Sequence, residues 1–236
     1  LYSYCFERFL HKHHIAFFFV NALAIKRSIG LVRGKTDKWD ATRIAAYGYE
    51  KKDQLTMDIP ASDALKRLQM LHSTRDRLVR QKASLTCAIK EYRHIGIPEN
   101  DIIMQTQLQL IKNFEKQIDK LMAEIETVID GDQALKQNFR LLQSIKGVGK
   151  VVTLAVIIKT HNFTRFVNAR TFTCFCGTAP FPHDSGTSIK KRTRVSHLAN
   201  KKIKASLNMT ALTAKKKDME IRAYYDKKAK DGKNKM

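Results

Sequence analysis

Two aspartates three residues apart, Asp37 and Asp40, sit in the stretch Arg33-Gly34-Lys35-Thr36-Asp37-Lys38-Trp39-Asp40-Ala41, where Thr36 or Asp37 is placed to open a helix. Positions i and i+3 share a helix face, so both carboxylates can reach one divalent cation. A hard cation such as magnesium takes carboxylate oxygens, keeps several waters and completes its shell with substrate phosphate. Paired ions about 4 Å apart would stabilise the attacking and leaving oxygens of a phosphodiester displacement. The spacing has a second reading, in which Asp37 caps the helix and Asp40 occupies its first turn, favoured there by the dipole. Spacing alone leaves both open. The cations around the pair, Lys35 among them, would face a nucleic-acid backbone.

Two further constellations bear on phosphate chemistry. The loop Pro180-Phe181-Pro182-His183-Asp184-Ser185-Gly186-Thr187-Ser188 runs into Lys190, Lys191, Arg192 and Arg194. A serine hydroxyl among cations could, once deprotonated, attack a phosphodiester and form a phosphoserine link that conserves bond energy for rejoining. His183, Asp184 and Ser185 do not make a hydrolase triad, because adjacency in sequence does not give that geometry; on residue type alone Ser185 is a turn residue. Ile145-Lys146-Gly147-Val148-Gly149-Lys150 has the form of a helix-hairpin-helix turn. Its glycines would let backbone N–H groups approach a phosphate at the head of the next helix. Similar turns also join packed helices without touching a ligand. Lys201, Lys202 and Lys204 extend the basic stretch.

Composition narrows the partner. The 236 residues are 43% hydrophobic and 28% charged, with 44 lysines and arginines against 22 acids and a formal charge of +22. Such a chain can build real cores, and its large partner is a polyanion held through phosphate contacts and counterion release. Residues 185–236 hold 16 of the cations and 4 of the acids. The longest apolar run, Ile15 to Val20, is far too short to span a bilayer, so no membrane partner is expected. Cys5, Cys87, Cys174 and Cys176 form no disulfide framework, and the C-x-C pair lacks structural zinc spacing. Buried free thiols in a reducing cytoplasm are expected. Leu1 is not a methionine and no signal peptide follows it, so it reads as a cut end.

Three regions must position these residues. In residues 1–58 an amphipathic helix precedes Ile15-Ala16-Phe17-Phe18-Phe19-Val20, a run suited to a strand covered on both faces, as in an α/β sheet. Its strand neighbours would lie outside this chain or on another molecule. In residues 59–130, Leu65, Leu68, Leu71, Leu78, Leu85 and Ile89, then Leu108, Ile111, Phe114, Ile118, Leu121, Ile125 and Val128, recur at three- and four-residue steps. Ile95-Gly96-Ile97-Pro98 breaks the run, with the proline placed to start the second helix. An antiparallel helical hairpin that pairs with another copy is expected; a bundle packed only on itself fits equally. Residues 131–236 hold the glycine turn, an apolar helix from Val151 to Ile158 and the basic tail. The fold class is therefore mixed and mainly α.

Taken in order, these pieces resemble the insertion-sequence-110 family of transposases. The K-T-D-x-x-D-A signature falls at Lys35 to Ala41, after an asparagine at Asn21. The patterns I-x-G-V-G, N-A-R-x-F, C-G-x-A-P and S-G-T fall at Ile145–Gly149, Asn168–Phe172, Cys176–Pro180 and Ser185–Thr187. The resemblance implies a RuvC-like DEDD domain (1–58), a helical coiled coil (59–130) and a C-terminal transposase domain (131–236). It implies that Asp37 and Asp40 are the last two acids of a four-carboxylate magnesium site and that Ser185 is the nucleophile. It further implies DNA as substrate, a structured guide RNA, a homo-oligomer through the coiled coil, and a cytoplasmic protein that joins the bacterial nucleoid when on DNA. The first two acids of the set would lie upstream of Leu1, and Ala22 stands where the family has proline; a copy truncated at both ends is expected. Two other readings remain: a non-catalytic nucleic-acid-binding protein, and a RuvC-like metal-dependent nuclease that makes no use of Ser185.

Overall fold

The computed structural model describes residues 2–30, 34, 36–55, 61–185 and 189–232. It is mainly helical, with ten helices and one two-stranded ribbon among the described residues. The chain forms two compact units, Leu1–Ala61 and Ser62–Met236.

In the first unit, α1 spans Tyr2–Lys12, α2 Ala22–Ser28 and α3 Asp37–Lys51. Residues 15–20 form no strand. A strand exists only as part of a ladder, and without one Ile15, Phe18 and Phe19 remain exposed. Helix α2 was not expected from the sequence; Asn21 nucleates it by accepting the Leu23 N–H at 2.9 Å. None of the described residues of α2 or α3 is buried.

The second unit is built on α4 (Asp63–His94) and α5 (Ile102–Asp130), each more than 40 Å long at the helical rise of about 1.5 Å per residue. Arg67 pairs with Glu124 and Lys82 with Glu115, both at 3.0 Å, so the two helices run antiparallel. Leu65, Leu68 and Leu71 of α4 are buried, as are Ile125 and Ile129 of α5; Ile89 and Met104 are buried toward the other end. Between these ends, Leu78, Leu85, Ile111, Phe114, Ile118 and Leu121 are only half-buried. Pro98 does not begin α5: its carbonyl accepts the Asp101 N–H in a turn, and Asp101 caps the helix by accepting the Ile103 N–H at 2.8 Å.

Beyond Gly131 come α6 (Gln133–Ser144), α7 (Lys150–Thr160), α8 (Ala169–Cys176), α9 (Lys201–Lys217) and α10 (Met219–Lys230). Helix α7 is apolar and central, burying Thr153, Leu154, Val156, Ile157, Ile158 and Thr160. Val156, Cys176 and Ile203 form a core closed by Leu142, Val152, Phe172, Phe175 and Leu207, which ties α6, α7, α8 and α9 together. Asn168 caps α8 by accepting the Thr171 N–H at 2.9 Å. Gly177 ends α8 at φ +68, where a Cβ would meet the Ala199 methyl at 2.4 Å; only glycine fits this left-handed cap.

After α7 the chain takes a costlier path. His161, Asn162 and Phe163 have φ of 49, 56 and 69, three consecutive non-glycine residues in a region that costs each about 1–2 kcal/mol. The buried Thr160 holds the turn: its Oγ1 donates to the Val156 carbonyl at 2.9 Å and accepts the Phe163 N–H at 3.1 Å.

The four cysteines are free, but they are not uniformly buried. Cys5 and Cys87 are exposed, Cys174 is intermediate and Cys176 is buried. The first two fall on outward positions of amphipathic helices, which residue type alone does not reveal. No helix among the described residues is long and apolar enough to cross a membrane.

Candidate nucleic-acid interface and carboxylate pair

Thr36, not Asp37, caps α3: its Oγ1 accepts the Trp39 N–H at 3.3 Å. Asp37 is the first residue of the helix and Asp40 lies in the same turn, so the macrodipole favours both as anions. Asp40 also pairs with Arg43 at 3.3 Å, one turn on, with 42% of its side chain exposed. Two carboxylates at the head of one helix suit a hard cation that binds through oxygen. Among the described residues no group of three or more His, Cys, Asp and Glu side chains converges to hold an ion. The pair thus supplies one edge of a coordination shell, to be completed by water, phosphate or other carboxylates. Lys35 lies outside the described residues.

The glycine turn has two unequal halves. Gly147 sits at φ +95 against α9, where a Cβ would lie 2.8 Å from the Thr210 carbonyl oxygen and 2.9 Å from the Ala214 nitrogen. This glycine lets two backbones touch. Gly149 has an ordinary φ of −90 and open space around it. It is the N-cap of α7 and offers no side-chain acceptor, so the first N–H groups of that helix keep their capacity to meet an outside acceptor. The lysines around the turn are exposed and tethered: Lys146 pairs with Asp218 at 3.3 Å, and Lys150 with Glu126. Asp218 also accepts the Ile221 and Glu220 N–H groups at the start of α10. The Ile221 bond first, then Lys146, hold its carboxyl below the usual range.

The serine loop is a ribbon rather than an open loop. β1 (Phe181–Ser185) pairs antiparallel with β2 (Ile189–Arg194), placing Phe181 opposite Arg194 and Ser185 opposite Ile189, with an irregularity between Phe181 and His183. The backbone of Ser185 therefore ends β1. Gly186, Thr187 and Ser188, and the side chains of Ser185, Lys190, Lys191 and Arg192, lie outside the described residues. Arg194 is exposed.

Lys201 and Lys202 occupy the first turn of α9, behind the Asn200 cap. Cations at the positive end of a helix oppose its dipole, so helix stability does not account for them; an anion near that end would. Lys202 reaches Asp76 of α4 at only 3.9 Å, and Lys204 is half-buried beside Gly177. Asp76 also faces Arg75 at 3.2 Å and His72 at 3.7 Å. Burial nonetheless lowers the pKa of His72, the desolvation outweighing the pull of Asp76.

One charge pattern is broader than the basic tail. From residue 133 to 217 the chain holds 17 lysines and arginines and a single acid, Asp184. The stretch from α6 to α9 thus brings almost no negative charge of its own, while Asp130, Asp218, Glu126 and Asp76 on neighbouring elements pair with its Lys136, Lys146, Lys150 and Lys202 and leave its other cations in excess.

The family model described as "Transposase IS116/IS110/IS902 family" matches residues 139–226. A second transposase model, for the DEDD domain of IS110 elements, matches residues 2–92. The pilin gene-inverting protein of Moraxella bovis is 27% identical over 211 residues, covering 85% of this chain and 60% of the relative. Its counterpart in Moraxella lacunata matches with the same identity and coverage. The chain therefore spans about 60% of the length of these curated relatives.

Proposed function

The chain belongs to the IS110 family of transposases, and from that premise we propose that it cuts and rejoins DNA strands through a covalent serine–DNA intermediate, with Ser185 as nucleophile. The observation that carries this reading is the order of the two matches, the carboxylate pair inside the first and Ser185 inside the second. The N-terminal region to residue 58 acts as the downstream part of a RuvC-like domain, residues 59–130 as a coiled coil, and residues 131–236 as the transposase domain.

The Ser185 hydroxyl gives up its proton, and its oxygen attacks a strand phosphorus. The bond from phosphorus to the leaving sugar oxygen breaks, and that oxygen takes up a proton. The phosphoserine ester keeps the bond energy, so attack by another strand's hydroxyl rejoins DNA without a nucleotide cofactor. Asp37 and Asp40 are the residues that would hold a divalent cation, magnesium by the hardness of its donors, whose chemistry is charge neutralisation at the phosphate. Arg194, Lys146, Lys150, Lys201, Lys202 and Lys204, with the open head of α7, hold strand backbones. Lys35, Lys190, Lys191 and Arg192 join them by their place in sequence. The family resemblance implies that sequence choice falls to a structured guide RNA, leaving this chain's cations to hold backbones. The half-buried stripe midway along α4 and α5 supports pairing with a second copy. On this reading the protein works on DNA in a bacterial cytoplasm.

The relatives are named for inverting a pilin gene, which favours one further reading: the same strand exchange performed within one molecule, as DNA inversion. The test is a protein–DNA adduct assay. The protein is incubated with magnesium, guide RNA and cognate DNA, then denatured. Ser185→Ala abolishes the adduct; nicked DNA with free ends and no adduct would instead support a nuclease.

A further inference from the structure

Phe163 stands on the costliest backbone among the described residues, the left-handed run His161-Asn162-Phe163. The run is held on all sides. The Asn162 N–H bonds the Ile157 carbonyl, the Arg165 N–H bonds the Thr160 carbonyl, both at 2.9 Å, and the Asn138 amide donates to the Asn162 side chain at 2.8 Å. Structure this firmly maintained against strain implies a purpose for its shape.

The shape sorts two phenylalanines. Phe166 is half-buried and packs edge-on against Phe172 and at a tilt against Phe175, with the Arg165 guanidinium over Phe166 and Phe175 at 5.8 and 5.7 Å. Phe163 is left 49% exposed and Val167 95% exposed. Every formal charge on the neighbouring chain is positive, Lys159, Arg165 and Arg170, with no acid between residues 133 and 183. A rigid aromatic tip in a cationic field suits a nucleobase, which offers a π-face to the ring while its phosphates meet the cations.

We propose that the 161–167 tip is a base-stacking element, in which Phe163 engages an unpaired or unstacked base of a nucleic-acid strand. The inference rests on the nucleic-acid reading above and gives it a new contact: strand exchange exposes such bases, and the tip holds one. Phosphate contacts elsewhere would bind any duplex; Phe163 adds a preference for disrupted ones.

The full chain is titrated, at low salt, into a fluorescent fully paired duplex and into the same duplex with a bulged 2-aminopurine, each made as DNA and as RNA. The wild type binds the bulged probe about tenfold more tightly and changes the 2-aminopurine emission, as stacking of one base predicts. Phe163→Gly, which suits the left-handed backbone and so spares the fold, removes the preference and the emission change while binding the paired probe as before. Phe163→Trp keeps both. The DNA and RNA versions show which strand supplies the base. A preference that survives in Phe163→Gly overturns the inference, as does an equal loss on paired and bulged probes. Adsorption of the wild type, but not Phe163→Gly, to uncharged lipid vesicles without any preference for the bulge assigns the tip to a membrane and also overturns it. If neither probe binds, the nucleic-acid reading itself fails.

Discussion

Replacing Gly147 by alanine should destabilise the second unit far more than replacing Gly149. At φ +95 a side chain costs about 1–2 kcal/mol from backbone sterics. The new Cβ would also press on the Thr210 oxygen at 2.8 Å and the Ala214 nitrogen at 2.9 Å. Both belong to the backbone of α9, which cannot swing aside as a side chain would, and overpacking of this kind adds about 1–3 kcal/mol. The total is about 2–5 kcal/mol. Gly149→Ala meets ordinary φ and open space, and loses only the modest advantage of glycine over alanine at an N-cap, about 0.5–1 kcal/mol. Urea unfolding followed by far-UV circular dichroism reports mainly the helices of the second unit, whereas the single Trp39 reports the first. The dichroism midpoint should fall sharply in Gly147→Ala and little in Gly149→Ala. Unfolding free energies of the two variants equal within about 0.5 kcal/mol would refute the reasoning, and would return Gly147 to a role in contacting phosphate.

Other outcomes follow from the same geometry. Binding of a duplex should weaken steeply from low to moderate salt, as a phosphate-dominated surface requires; a flat response in fluorescence anisotropy contradicts it. Because burial lowers the His72 pKa below its ordinary 6.5, the unfolded chain takes up a proton at this site before the folded one does. The stability derived from neutral His72 is full above that value and is lost as pH falls below it. Denaturation midpoints should thus decline less in His72→Gln than in the wild type between neutral and mildly acidic pH. Burial pushes the Cys176 thiol up to about 11, so a disulfide reagent at mildly alkaline pH should modify exposed Cys5 and Cys87 first and Cys176 only on unfolding; early labelling at Cys176, mapped by peptide mass, would refute this.

The long helices were legible because α4 and α5 repeat apolar residues at helical spacing, a local signal that needs no partner. The apolar run at 15–20 carries a strand signal equally strong, yet a strand needs a ladder, and this run has none in the described structure. The ribbon at β1 and β2 and the short α2 were missed because their signals, a three-residue link and a lone Asn21 cap, are brief. The motifs that carried the family resemblance are largely architectural. Asn168 caps α8, Phe172 packs in the core, Gly177 closes α8 against Ala199, and Gly147 admits α9. Asp37 and Asp40 emerge at a helix head, where spacing had left capping and metal ligation open; Thr36 takes the cap, and Asp40 pairs with Arg43. The left-handed run after α7 was missed: histidine and asparagine are enriched at positive φ, a signal left unread, and Phe163 gives none.

The central claim is that Ser185 carries the DNA strand. Its most direct measurement is mass spectrometry of peptides from the denatured adduct, after reaction with magnesium, guide RNA and cognate DNA. The account predicts a nucleotide attached to the peptide containing Ser185, and none in Ser185→Ala or in Asp37→Asn/Asp40→Asn, with duplex binding retained in all three proteins. A nucleotide on another residue, or an undiminished adduct in Ser185→Ala, would contradict it.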